Sequence, residues 1–171
     1  MFTPRQRILL SVAAFVLGTY LIVFKNDYVG ILALAASAFM AHGYFRYGTV
    51  WLAFREVAHG RMDAAAKLLA QVKNPEALGS EQRAYFELAS GLVCASSAQN
   101  QRAEQHLQAA LAHQLRTDND RAMAEAVLAQ LLIAREERAE ARAIVDQAVT
   151  RNCRPSILEK LKALQAELQG S

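Results

Sequence analysis

The 171-residue sequence predicts an all-α protein: an N-terminal transmembrane helical hairpin, then an α-solenoid of helix pairs, then a C-terminal capping helix. Three observations predict it. Two runs near the N-terminus, 8–24 and 28–45, contain no Asp, Glu, Lys or Arg. The rest of the chain repeats itself at an offset of 38 residues, with apolar positions three and four apart, which is the helical period. Only three prolines and eight glycines occur, mostly between the periodic segments, which disfavours a β-rich fold.

The two uncharged runs come first. At 1.5 Å per residue each reaches about 25–27 Å, the short end of what a bilayer requires. They are separated by Lys25-Asn26-Asp27 alone, a turn too short for a domain, so they read as a hairpin that crosses and returns. A cleaved leader would need small residues after its apolar core, and Phe24-Lys25-Asn26-Asp27 is a poor site. Two buried helices of a soluble protein would usually keep a polar stripe. Small residues recur at Ala33, Ser37 and Ala41 and at Ala14 and Gly18, spacings that let helices approach closely. Tyr20, Phe24 and Tyr28 flank the turn, and Tyr44, Phe45, Tyr47, Trp51 and Phe54 crowd the other end, as interfacial aromatics do. Arg5 and Arg7 precede the first run, and Arg46, Arg55 and Arg61 follow the second. The positive-inside bias then places both termini and the repeat domain in the cytoplasm, on a bacterial inner (plasma) membrane. The expected domains are 1–45, the hairpin, and 46–171, the repeats.

Charge divides the chain at the same place. Residues 1–51 hold Arg5, Arg7, Lys25 and Arg46 against Asp27, whereas residues 52–171 hold 15 basic and 15 acidic groups. The net charge of +3 is therefore not a diffuse basic surface, and nucleic acid is not an expected partner.

The repeats follow in order, at 48–78, 80–116 and 118–153. Segments 60–72, 98–110 and 136–148 align without gaps. Ala65, Ala103 and Ala141 fall in register, as do Leu69, Leu107 and Val145, then Val72, Ala110 and Ala148. Upstream, Ala53, Gly91 and Ala129 correspond. Helices cross closely only where a side chain is small, and alanine meets that need without glycine's helix penalty. Asn74-Pro75 ends the first repeat, Asp118-Asn119-Asp120 offers an N-cap, and Ser156 with Glu159 has capping-box spacing. The last helix, 156–168, carries Ile157, Leu161, Leu164 and Leu168 on one face, the polar-backed cap that a solenoid needs.

On Ala53, Gly91 and Ala129 in the first helices and Ala65, Ala103 and Ala141 in the second, residues 48–152 resemble the tetratricopeptide repeat family. The 38-residue spacing exceeds that family's usual 34, and its aromatic positions in the first helix are mostly unfilled. The resemblance implies a concave groove, lined by the first helices, that binds a protein or peptide. In this chain the groove would comprise Phe54, Val57, Tyr85, Leu88, Leu92, Met123, Gln130 and Ile133. The set is apolar, which favours an amphipathic helix or extended apolar peptide as ligand.

Chemistry is otherwise sparse. His42, His59, His106 and His113 are the only histidines, with no metal-ligand spacing, and read as surface groups. Cys94 and Cys153 read as free thiols. No phosphate loop, nucleophilic triad or metalloprotease motif occurs. The expectation is a protein without catalytic residues, cofactor or metal: a membrane-anchored adaptor or scaffold that recruits another protein on the cytoplasmic side. The alternative is an accessory subunit of a larger membrane complex that touches its partners through the hairpin. Partners are thus a protein or peptide and the lipid bilayer.

Overall fold

The computed structural model describes residues 29–170 and, before them, Ala13, Phe15, Val16, Thr19, Tyr20 and Ile22. Among the described residues the chain is all helix. The elements are α1 (Val29–Ala58), α2 (Met62–Leu69), a 3-10 turn (Pro75–Ala77), α3 (Ser80–Ser96), α4 (Asn100–Ala112), α5 (Asp118–Ala134), α6 (Arg138–Val149) and α7 (Pro155–Gln169). The chain divides into two compact units, Met1–Thr49 and Val50–Ser171.

The second unit is a row of helix pairs. α3 packs on α4 and α5 on α6, and successive pairs meet through α2 with α3, α4 with α5 and α3 with α5. The turn inside each pair is built alike. Gly60, Ala98 and Glu136, each 38 residues apart, have positive φ of 75°, 57° and 65°. The next residue's N–H reaches back to the carbonyl five before it: Arg61 to Glu56, Gln99 to Cys94, Glu137 to Leu132, each at 2.9 Å. The left-handed residue's own N–H bonds to Val57, Ala95 and Ile133 respectively. This is the Schellman ending, which satisfies carbonyls that a helix C-terminus leaves without partners. α2, α4 and α6 start immediately afterwards, with no side-chain cap.

Small residues set the crossings. Ala53, Ala65, Ala103, Ala129 and Ala141 are all fully buried. A Cβ on Gly91 would lie 2.8 Å from Leu107 Cγ and 3.3 Å from the Ala103 carbonyl, so α3 and α4 meet where no side chain fits. Leu88, Leu107, Leu132 and Val145 fill the interior, and α7 closes it by burying Leu161 and Leu164 against α5 and α6.

Two caps differ from expectation. Thr117, not the acids after it, caps α5: its Oγ1 accepts from Asp120 N at 3.0 Å. α7 begins at Pro155 without a side-chain cap, so Ser156 lies inside its first turn. The ring fixes φ for the helix, and its missing N–H needs no partner there.

The membrane hairpin is a correction. The first expected span, 8–24, and the turn at 25–27 fall mostly outside the described residues. The second, 28–45, falls on α1, which runs on past it for 30 residues in all. Its apolar stretch, 29–41, ends at His42 and reaches about 20 Å at 1.5 Å per residue, against a hydrocarbon thickness of about 30 Å. Among the described residues no helix is long and apolar enough to cross a membrane. The two-span anchor and the integral inner-membrane placement are therefore not supported.

Candidate functional site

Four of the eight groove positions are core. Val57, Tyr85, Leu88 and Leu92 are buried, so a ligand could reach them only by displacing the packing. Phe54, Met123 and Ile133 are half-buried at the edge of the same core, and Gln130 is exposed. α1 and α5 place these four, but the surface they offer is a rim over a filled interior.

At one end of this rim stands an aromatic cluster. Trp51 lies 4.3 Å from Tyr85 between ring centroids, tilted by 40°. Phe54 meets Tyr85 edge-on at 5.0 Å and Trp51 at 6.4 Å. Trp51 and Phe54, three apart on α1, present one face to α3. Arg116, in the loop before α5, holds its guanidinium 5.8 Å from the Trp51 ring centre and 3.2 Å from a Glu81 carboxylate oxygen. A cation over an indole face is held by the ring quadrupole.

The buried edge of the cluster is fixed by hydrogen bonds. Tyr85 donates its hydroxyl to Asp120 Oδ2 at 2.6 Å, and Thr117 donates to the same oxygen at 2.8 Å. Burial, then the bond to Asp120, pushes the Tyr85 phenol far above its ordinary range. It stays protonated, a fixed donor rather than a base.

Two buried carboxylates were not singled out in the sequence. Glu87 on α3 and Glu125 on α5 are 38 residues apart and both shielded from solvent. Each follows an arginine by four, in Arg83-Ala84 and Arg121-Ala122, and that recurrence is the signal that finds them. Their donors differ. Arg151, after α6, makes a two-pronged contact with Glu125, Nε to Oε2 and Nη2 to Oε1, both 2.8 Å. Glu87 takes His106 Nδ1 of α4 at 2.6 Å, and since a carboxylate only accepts, the ring proton sits on Nδ1. His106, expected at the surface, is thus partly buried in an ion-pair position.

Cys94 and Cys153 are free and partly buried, and burial pushes the Cys94 thiol up, away from the reactive thiolate. Among the described residues no group of three or more His, Cys, Asp or Glu gathers to hold a metal ion.

Compared with protein-family models, curated proteins and solved structures, the chain finds no match. The resemblance to tetratricopeptide repeats therefore does not extend to membership of that family, in line with the longer 38-residue step and the vacant aromatic positions in the first helices.

Proposed function

We propose that residues 50–171 form a short α-solenoid that binds a protein segment along the rim of α1 and α5, a binding role rather than a catalytic one. The observation that carries the reading is the cluster of Trp51 and Phe54, partly open to solvent and braced by Arg116 and by the buried Tyr85. Aromatic and arginine side chains held rigid on a scaffold are the groups that dominate binding energy at protein interfaces. Met123 and Ile133 extend the same rim with apolar surface, and Gln130 supplies a side-chain amide that can bond to a peptide backbone. An amphipathic helix, with apolar anchors three and four apart, suits such a surface.

Peptides selected against the full chain from a library of amphipathic helices test this. Bound peptide should blue-shift the Trp51 emission and protect Met123 from oxidation. Phe54→Glu with Ile133→Glu should weaken binding at least tenfold in protein that keeps its helical circular dichroism spectrum. Undiminished binding by that variant would remove the rim as the site.

A further inference from the structure

We infer that the outward surface of the N-terminal unit, Met1–Thr49, rests against the acyl layer of a lipid surface. Among the described residues of this unit the polarity is inverted. Phe15, Val16, Tyr20, Ile31 and Leu32 are large and exposed, Phe15 by 57% and Leu32 by 71%. Ala13, Ala35, Ala36 and Ala38 are exposed as well. Among the described side chains of 30–38, Gly30 and Ser37 are buried, seven apart and hence on one helix face. Ile31, Leu32, Ala35, Ala36 and Ala38 lie on a broad arc opposite them. A helix facing water keeps the opposite arrangement, with apolar residues inward.

Thr19 repeats the theme. It is exposed, yet its hydroxyl donates to the Phe15 carbonyl of its own helix at 2.9 Å, which satisfies the donor locally without water. Charge complements an anionic headgroup layer: this stretch of sequence holds Arg5, Arg7, Lys25 and Arg46 against the single acid Asp27.

The distribution selects the occupant. A second copy or a partner helix covers one stripe. Here the exposed apolar residues of 31–38 spread over a broad arc opposite Gly30 and Ser37, beside a sequence stretch with four basic groups and one acid, a combination that a fluid anionic layer matches. The inference is one of contact and asks for no crossing, since among the described residues no helix is long and apolar enough to cross a membrane. It rests on residues other than those of the proposed peptide-binding rim, so either can fail alone.

The test uses the full chain carrying Trp51→Phe and Leu32→Trp, mixed with vesicles of phosphatidylcholine and phosphatidylglycerol. The protein should float with the vesicles, its tryptophan emission should shift to the blue, and brominated acyl chains should quench it. Ile31→Glu with Leu32→Glu should lose flotation while the circular dichroism spectrum keeps its helical minima. Should that variant lose helix, Ala36→Trp serves instead, with quenching expected again. Emission unquenched by brominated lipid at both positions overturns the inference. Concentration-dependent self-association that protects the same tryptophans without vesicles also overturns it, in favour of a second copy.

Discussion

Gly60, Ala98 and Glu136 occupy the same left-handed position in three successive turns, but only one of them is a glycine. A side chain there brings its Cβ against the backbone, at a cost of about 1 kcal/mol. Ala98→Gly and Glu136→Gly should each therefore raise the stability by about 1 kcal/mol, and Gly60→Ala should lower it by a similar amount. A Cβ on Gly60 would meet nothing within 4 Å, so that loss is conformational, and urea unfolding measures it without a packing contribution. The first turn is legible in the sequence because a glycine follows His59. The other two are not, since alanine and glutamate favour helix, and only the 38-residue register points to them.

At the scale of the helices, the two buried glutamates show where sequence reading stops. Arg83 with Glu87 and Arg121 with Glu125 have the spacing of a solvated helix pair, which is how charge at such intervals is normally read. Only the packing of α3 and α5 into the row reveals that the carboxylates point inward: Glu125 keeps Arg121 at 3.6 Å but takes its hydrogen bonds from Arg151, and Glu87 bonds to His106. Arg151→Ala should leave Glu125 charged, buried and short of a donor, at a cost of about 3 kcal/mol. Arg151→Lys should recover part of it, since a lysine supplies charge without the two-pronged fit. Denaturation of both variants at neutral pH checks the order. The helical character of these segments was readable, because the apolar period marks it. The donor to Glu125 was not, because Arg151 lies 26 residues away and no local pattern links them.

The whole second unit depends on its last helix. α7 buries Leu161 and Leu164 against α5 and α6 while Glu159, Lys160 and Lys162 face solvent, so removing it uncovers the apolar side of the final pair. A chain ending at residue 154 should bind a hydrophobic dye such as ANS and unfold at a clearly lower urea concentration than the full chain. Equal midpoints would show that α7 is an accessory. The candidate site was legible only in part at this scale. Sequence alignment placed eight residues on the first helices, but which of them remain open depends on how tightly neighbouring helices close, and Gly91 lets α3 and α4 close fully. Tyr85, against Trp51, Phe54 and Asp120, and Leu88 became interior, and Trp51, read as an interfacial aromatic, became part of the rim. The shared turn has one more consequence. Excising residues 61–98 would join Gly60 to Gln99 and recreate a junction of the same kind, with the backbone bonds on either side supplied by the surviving partners. The second unit can therefore be shortened or lengthened in 38-residue steps without a new kind of junction.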